Sequence, residues 1–257
     1  MLAAIVWGLV QGLTEFLPVS SSGHLVIVPD FLELLGVDVQ PPTLAVSAVL
    51  HLGTLVALLI YFRADLMKVL RLRREPEGRK IALLVAVGTI PVLAGFPLKD
   101  SIESLQEDVT KVGVALIATG VILLLGQRFA RGTKRLMEGT PMDAFVIGVG
   151  QALALIPGLS RSGVTISAGN GRHLAPPESA RFAFLLGIPA IAGAGLLSLP
   201  DLFDAGTFDL ELVVALVMAA VSGYFAIALL LKAINRIGLI PFAIYCFIVG
   251  TLTIAFL

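Results

Sequence analysis

Two polar stretches interrupt an otherwise apolar chain, and both contain residue types that could bind and cleave a phosphate. The first, residues 11–24, carries Glu15 and His24 around a run of serines, and the second, residues 151–165, carries Arg161 between two serines. We expect the chain to fold so that the two stretches face each other around one site. At a shift of 140 positions, Gly8, Gln11, Leu13, Ser20, Ser22 and Gly23 align with Gly148, Gln151, Leu153, Ser160, Ser162 and Gly163.

Glu15 and Arg161 are charged residues within apolar sequence. An isolated charge in hydrocarbon costs on the order of several kcal/mol, so each side chain should meet the other, a ligand or a metal. A buried ion pair that only fixes the packing is the simpler alternative. The serines and His24 beside them offer more polar groups than such a pair needs, which favours a binding site.

Gln11 and Glu15 are four residues apart and therefore project from one face of a helix. A carboxylate and an amide oxygen in this arrangement suit a divalent cation, Mg²⁺ or Ca²⁺. Mg²⁺ prefers oxygen ligands and is often held by one or two carboxylates together with substrate phosphates. The alternative is a hydrogen bond between the two side chains that steadies the helix, and the spacing alone does not decide between them.

The serines of each stretch follow a helix-breaking proline, Pro18 or Pro157, where a new short helix would begin. Free backbone N–H groups and the positive end of the helix dipole make such a position an anion site. The Arg161 guanidinium can add two parallel hydrogen bonds to a phosphate. Ordinary N-capping by serine is the alternative.

His24 lies three residues after Ser21, on the same face if the short helix starts at the serines. Its imidazole could take the proton of the Ser21 hydroxyl, or attack phosphorus itself. A polar histidine that bonds a backbone carbonyl is the alternative.

The rest of the chain must position these stretches inside a membrane. Hydrophobic residues make up 57% and charged residues 14% of the sequence, and the mean hydropathy is +0.98. A soluble domain could not cover that much apolar surface. Basic and acidic residues are equal in number, which indicates no nucleic-acid partner, and the sequence has no Walker A loop to support nucleotide-driven work. The composition predicts an all-α integral membrane protein.

Apolar runs predict six transmembrane helices, since a helix needs about 20 residues to cross the hydrocarbon. The two polar stretches join shorter apolar pieces, which predicts two re-entrant helical hairpins. One kinked span over residues 1–28 is the alternative for the first of them. The predicted spans are 43–62, 81–98, 112–127, 182–199, 211–231 and 238–257.

Loop charges orient these spans through the positive-inside rule. If both polar stretches return to the side from which they entered, every loop fits, and the single membrane domain 1–257 consists of two repeats, about 1–130 and 141–257, of inverted topology. Inverted repeats commonly build a site near the midplane from broken helices. The basic loops 63–80, 128–142, 170–181 and 232–237 are then cytoplasmic, and 29–42, 99–111 and 200–210 are external.

The motifs closely resemble those of the undecaprenyl-pyrophosphate phosphatase family of the bacitracin-resistance type. The resemblance runs nearly end to end, through QGLTEFLPVSSSGH, PGLSRSGVTIS, PPESARFAFLLGIPA and IPFAIYCFIVG. It implies a cell-membrane enzyme that removes the terminal phosphate of a polyprenyl pyrophosphate and regenerates the carrier lipid for envelope polysaccharide synthesis. It also implies interleaved inverted repeats and an active site open to the extracytoplasmic side. Gln11 stands where many members carry Glu, which removes one candidate metal carboxylate and one candidate base.

The residues and the resemblance together predict a phosphatase site. Ser21 is the predicted nucleophile, with His24 as its base or as the acid to the leaving group, and His24 as direct nucleophile is the competing mechanism. Glu15, helped by Gln11, holds Mg²⁺ or Ca²⁺, and Arg161 offsets charge in the transition state. The predicted substrate-binding residues are Gln11, Ser20, Ser22, Ser160, Ser162 and Thr165.

A secondary transporter or flippase of a lipid phosphate is the alternative function, because many transporters also build their sites from inverted repeats with broken helices. The Ser–His–Glu–Arg set favours the enzyme, since transport alone would not require it. A structural scaffold does not explain the charges of Glu15 and Arg161. The expected partners are the polyprenyl pyrophosphate and membrane lipid, with a homodimer left open and no nucleic acid.

Overall fold

The computed structural model describes residues 1–37, 39–95, 108–197 and 209–257. Within these ranges the chain is helical apart from loops and one isolated β-bridge between Lys134 and Leu174. The predicted external loops 99–111 and 200–210 lie mainly outside the described residues. The helices are α1 (Leu2–Phe16), α2 (Ser21–Leu34), α3 (Leu44–Tyr61), α4 (Arg63–Leu70), α5 (Pro76–Gly95), α6 (Val109–Arg128), α7 (Pro141–Leu153), α8 (Arg161–Gly171), α9 (Pro176–Leu197), α10 (Leu210–Ile237) and α11 (Ile240–Phe256).

Among the described residues, five helices are long and apolar enough to cross a membrane, namely α3, α5, α6, α9 and α10. The sixth predicted span corresponds to α11, whose 17 residues make it shorter than the others. The helices of the two polar stretches are shorter still, since α1 has 15 residues and α7 has 13. The chain is therefore a multi-pass helical membrane protein, and the number of six spans stays a prediction.

Two spans begin well before the apolar runs that predicted them, α5 at Pro76 and α9 at Pro176. Proline is favoured in the first turn of a helix, and an acidic residue there complements the helix dipole. Glu77 and Glu178 occupy these first turns, and both pair with Arg181. The predicted basic loop 63–80 likewise contains the short helix α4.

Both polar stretches break the helix, as predicted. α1 ends at Phe16 and α2 begins at Ser21, while α7 ends at Leu153 and α8 begins at Arg161. The first helix of each stretch packs against a helix from the other half of the sequence, α1 against α10 and α7 against α5. The short helices α2 and α8 both pack against α6.

Glycines allow the two long-range pairs to approach closely, as small residues do between membrane helices. A Cβ atom at Gly12 would lie 1.9 Å from Ser222 Oγ of α10, and one at Gly148 would lie 2.1 Å from the Gly88 carbonyl oxygen of α5. The backbones of both pairs are therefore nearly in contact, and they hold the ends of α1 and α7 in place.

Asp143 anchors the start of α7 through a buried carboxylate. Its side chain is 3% exposed, and it accepts hydrogen bonds from Lys134, from Thr140 and, at 2.7 Å, from Arg172 Nε after α8. Burial by itself raises the pKa of Asp143, but these donors outweigh it and leave the pKa below its ordinary value. The carboxylate thus ties the start of α7 to the residue that follows α8.

Replacing Asp143 by asparagine is expected to lower the free energy of unfolding by about 1–3 kcal/mol near neutral pH, because two cations lose their buried acceptor. Because the pKa of Asp143 is lower in the folded state, its ionised carboxylate stabilises the fold at pH values above the ordinary Asp pKa. This stabilisation is lost as the pH falls through the pKa of the folded state. The deficit of Asp143→Asn should hold from about pH 5 to 7 and close only in stronger acid. Thermal unfolding in detergent measures it, with exposed Asp108→Asn as the control. Equal melting temperatures for Asp143→Asn and wild type would contradict the expectation.

Candidate active site

Glu15 lies in the last turn of α1 and is the common acceptor for three polar side chains. Its Oε1 accepts a hydrogen bond from Arg161 Nη2 at 2.6 Å, and its Oε2 accepts from Ser21 Oγ at 2.5 Å and from Gln11 Nε2 at 2.9 Å. The Glu15 side chain is 6% exposed and the Arg161 side chain 16%. The structure therefore brings the two polar stretches together at a buried ion pair, as the sequence predicts.

The two helix breaks also contact each other through hydrogen bonds between serine side chains and backbone atoms. Ser162 Oγ donates to the Leu17 carbonyl oxygen at 3.2 Å, and Gly158 N donates to Ser22 Oγ at 3.4 Å. A Cβ atom at Gly23 would lie 3.5 Å from the Gly158 Cα. The N-termini of α2 and α8 thus lie side by side, and their first turns leave backbone N–H groups without intrahelical acceptors. Such a pair of helix starts favours an anion between them.

Ser20 and Ser160 make the same local contacts in the two stretches. Each hydroxyl accepts the N–H of the glycine three residues on, at 3.2 Å for Ser20 and 3.1 Å for Ser160. Each also lies beside the hydroxyl two residues on, Ser22 at 3.3 Å and Ser162 at 3.2 Å. Both serines therefore cap their helices, as the alternative interpretation expected, and both caps lie within one polar cluster.

The backbone conformation of Ser20 differs from that of Ser160. Its φ is +72°, in the left-handed region that residues other than glycine rarely adopt, whereas the φ of Ser160 is −75°. Backbone strain of this kind costs on the order of 1–3 kcal/mol and is found mainly at functional sites. The turn at Ser20 starts α2 so that Ser21 reaches Glu15.

His24 does not bond Ser21, in contrast to the predicted pairing. Its Nδ1 lies 2.6 Å from the Ser20 carbonyl oxygen, and its Nε2 lies 2.7 Å from the Tyr245 hydroxyl. Both ring nitrogens are engaged because the carbonyl one turn back captures Nδ1 and α11 supplies a partner for Nε2. The Ser21 hydroxyl instead donates to Glu15, so Glu15 replaces His24 as the group placed to take its proton.

The Thr165 hydroxyl, predicted to bind substrate, turns back onto its own helix. It donates to the carbonyl oxygens of Arg161 at 2.7 Å and Ser162 at 3.2 Å, and the residue is 1% exposed. Threonine hydroxyls in helices commonly bond the carbonyl one turn back. Its contact with substrate stays a prediction, and here its hydroxyl steadies the first turn of α8.

Gln11 has one amide atom engaged and one without a partner. The amide nitrogen donates to Glu15, which is the hydrogen bond considered as the alternative to a metal site, while the buried Oε1 has no partner. Within the described residues no group of three or more His, Cys, Asp and Glu side chains could hold a metal. The available donors, Gln11 Oε1 and the Glu15 carboxylate, fit a cation that takes its other ligands from phosphate and water.

Sequence reasoning missed several residues that shape the site. Thr119 of α6 bridges the second break, where its hydroxyl accepts from Ser160 N at 3.1 Å and donates to the Gly158 carbonyl oxygen at 3.3 Å. Gly187 of α9 leaves room for the guanidinium, since a Cβ atom there would lie 1.9 Å from Arg161 Nη1.

His51 of α3 lies close enough to Glu15 for an electrostatic interaction. Its Nδ1 bonds the Ser47 carbonyl oxygen at 2.8 Å. Gly187 and Tyr245 lie in the motifs PPESARFAFLLGIPA and IPFAIYCFIVG, which carry the family resemblance but had no predicted role in the site. Nothing in the sequence around Thr119 or His51 points to the site.

Comparisons with known proteins agree along the whole chain. The family model described as "Bacitracin resistance protein BacA" matches residues 4–252. The undecaprenyl-diphosphatase of Methanosphaera stadtmanae is 38% identical over 99% of this chain and 97% of its own. The undecaprenyl-diphosphatase of Halothermothrix orenii is 41% identical over 97% of this chain and 95% of its own. That of Desulforudis audaxviator is 42% identical over 96% of this chain and 94% of its own.

Proposed function

This chain belongs to the BacA family of bacitracin resistance proteins, and we infer from that membership that it is an undecaprenyl-diphosphatase. It cleaves the phosphoric anhydride of undecaprenyl pyrophosphate and gives the monophosphate carrier lipid, an activity that confers bacitracin resistance. The observation that supports this inference at the level of residues is that Ser21 and Arg161, at the N-termini of α2 and α8, both bond the Glu15 carboxylate. Transport of a lipid phosphate alone would not require a hydroxyl bonded to a buried carboxylate.

The pyrophosphate binds between the N-termini of α2 and α8 in this proposal. The Arg161 guanidinium and the free N–H groups of both first turns would hold its oxygens, and their positive ends would offset charge in the transition state. The hydroxyls of Ser22 and Ser162 lie at the contact between the two breaks, which supports a role in binding. The serine caps Ser20 and Ser160 keep the two helix starts in register.

Ser21 is the proposed nucleophile. Its Oγ attacks the terminal phosphorus, Glu15 accepts the hydroxyl proton, and the bond from phosphorus to the bridging oxygen breaks to release undecaprenyl phosphate. Water then hydrolyses the phosphoserine and releases inorganic phosphate. The hydrogen bond of 2.5 Å from Ser21 to Glu15 supports this assignment of the base. His24, whose Nε2 carries no proton when Nδ1 donates to the Ser20 carbonyl oxygen, is the proposed base for the water that hydrolyses the phosphoserine. His24 as direct nucleophile is the competing mechanism.

Arg161 couples substrate binding to the basicity of Glu15. In the structure the guanidinium pairs with the Glu15 carboxylate at 2.6 Å, which makes that carboxylate a poorer proton acceptor. A bound phosphate competes for the guanidinium through two hydrogen bonds. Loss of the Arg161 hydrogen bond by itself makes Glu15 a better acceptor for the proton of Ser21.

Glu15 and the Gln11 amide oxygen would hold the divalent cation, Mg²⁺ or Ca²⁺. Such an ion, when bound, neutralises phosphate charge and makes phosphorus more electrophilic. The unpartnered, buried Gln11 Oε1 supports this placement. Glutamine supplies an oxygen ligand without adding a negative charge, so Glu15 is the only carboxylate that this pair provides.

The proposed arrangement in the membrane has two inverted repeats, about residues 1–130 and 141–257, with six spans and two re-entrant hairpins. The reciprocal packing of α1 on α10 and of α7 on α5 supports it, because each hairpin then rests on the other repeat. The resemblance to the family supports a site that opens to the extracytoplasmic side of the cell membrane. A homodimer stays a prediction, and the mass of the protein in detergent would test it.

Phosphate release in detergent tests the proposed function. The purified protein, incubated with farnesyl pyrophosphate and Mg²⁺ or Ca²⁺, is expected to release inorganic phosphate and farnesyl phosphate, although no sealed bilayer is present. Glu15→Gln should reduce the rate by about a hundredfold or more, since it removes the base and the carboxylate. Wild-type protein that releases no phosphate, yet moves lipid phosphates across vesicle bilayers, would favour the transporter.

A further inference from the structure

Tyr245 belongs to α11, the last helix of the chain, and has no part in the mechanism above. The residue is 42% exposed, but its hydroxyl reaches His24, which is 4% exposed and closes the first turn of α2. The two rings are nearly parallel, with an interplanar angle of 9° and centroids 5.6 Å apart. A residue 221 positions away in sequence therefore contacts one of the two candidate nucleophiles.

The two hydrogen bonds of the His24 ring determine which of its nitrogens carries the proton. The Ser20 carbonyl oxygen can only accept, so His24 Nδ1 carries the proton of the neutral imidazole. Nε2 then has its lone pair free and accepts the hydrogen bond of 2.7 Å from the Tyr245 hydroxyl. A partner on one ring nitrogen in this way decides the tautomer and the orientation of the ring.

The residue after Tyr245 ties the same helix to the first break. Cys246 is buried, and its Sγ lies 3.8 Å from the Pro18 carbonyl oxygen as a weak donor. α11 therefore contacts the first polar stretch both before and after the turn at Ser20. It is held in turn by α6, against which it packs along its length.

We propose that Tyr245 is a positioning residue for the phosphatase reaction. Its hydroxyl holds the His24 imidazole in the Nδ1–H tautomer, with Nε2 as acceptor, and keeps the ring at a fixed distance from the phosphate site. This inference rests on the proposed function. It gives a role to the C-terminal motif IPFAIYCFIVG, which the reaction as described above does not use.

Tyr245→Phe removes the hydroxyl and keeps the ring. It is expected to reduce kcat about tenfold to a hundredfold, because a misplaced catalytic group costs up to about that much, while KM changes less than about threefold. Tyr224→Phe is the matched control, since Tyr224 packs against Tyr61 and Phe225 away from His24. Equal kcat values for Tyr245→Phe and wild type would overturn the inference.

Nitrogen NMR of histidine separates positioning from a packing defect. The chain has three histidines, so ¹⁵N-histidine labelling gives few signals, and His24→Asn identifies those of His24. Wild type should show a protonated Nδ1 and a hydrogen-bonded Nε2, and Tyr245→Phe should shift the Nε2 signal. Cys246→Ala, which loosens the same helix but keeps the hydroxyl, should leave that signal unchanged. An Nε2 signal that is the same with and without the hydroxyl would overturn the proposal.

Fluorotyrosine provides the test if Tyr245→Phe does not fold. In a Tyr61→Phe/Tyr224→Phe background, 3-fluorotyrosine makes the hydroxyl of Tyr245 a stronger donor, and the His24 Nε2 signal should move further; no movement would contradict the hydrogen bond. The NMR readout is independent of turnover. Wild-type protein that releases no phosphate contradicts the proposed function, whereas active wild type with an equally active Tyr245→Phe contradicts only this inference.

Discussion

Arg161→Ala is expected to lower kcat/KM for a prenyl pyrophosphate about a thousandfold or more. A guanidinium that stabilises phosphoryl transfer contributes on the order of 10³–10⁵ to the rate, and the loss of one preorganised donor costs about 10²–10³. Arg161 is the only cation bonded to Glu15 in the part of the chain that the structure describes. Initial rates of phosphate release over a range of substrate concentrations measure the effect.

Two further variants separate the guanidinium from its ion pair. Arg161→Lys keeps the charge near Glu15 but loses the planar fork, so we expect an intermediate loss of rate with little loss of stability. Gly187→Ala keeps the arginine but places a Cβ atom 1.9 Å from the present position of Nη1, and it should also lose activity. A folded Arg161→Ala variant that retained more than about a tenth of wild-type kcat/KM would have lost less than about 1.4 kcal/mol of transition-state stabilisation. That result would show that the guanidinium does not stabilise the transition state.

Ser21→Ala is expected to reduce kcat by on the order of a thousandfold or more, because it removes the nucleophile and leaves only binding and electrostatic stabilisation. Two neighbouring serines are matched controls. Ser20→Ala removes an N-cap, and Ser22→Ala removes the acceptor of a hydrogen bond of 3.4 Å, so each should cost less than about tenfold in kcat. Initial rates at saturating substrate give kcat and compare the three variants.

A trapped phosphoenzyme identifies the nucleophile directly. Substrate labelled in its terminal phosphate is mixed with enzyme, quenched during turnover and digested. An acid-stable label on Ser21 is expected. An acid-labile label on His24 would favour the competing mechanism, and label on neither residue, together with an active Ser21→Ala, would favour direct attack by water.

The sequence predicts the centre of the site because two local rules operate there. A serine that precedes a short helix caps it wherever it lies in the chain, so the matched serines of the two stretches predict matched helix starts. A charge within apolar sequence must find a partner, so Glu15 and Arg161 are each expected to meet the other, a ligand or a metal. Both rules depend only on neighbouring residues and on hydrocarbon as the surroundings.

The rest of the site depends on contacts that no local pattern contains. His24 could bond Ser21 by spacing alone, but the Ser20 carbonyl oxygen and the Tyr245 hydroxyl compete for its ring. The role of Thr119 depends on where α6 crosses the second break. Helix ends differ from the apolar runs for a similar reason, because ion pairs to Arg181 stabilise first turns that hydropathy assigns to loops.

The packing of α1 on α10 has a consequence for biogenesis. Gly8 and Ser222, which join these helices, are 214 residues apart, so α1 packs at first only against α2 and α3 and lacks its main partner until α10 has been synthesised. Tyr245 emerges later still. The proposed catalytic centre is therefore completed only after α11 has been synthesised, and we expect a nascent chain that lacks α11 to be inactive.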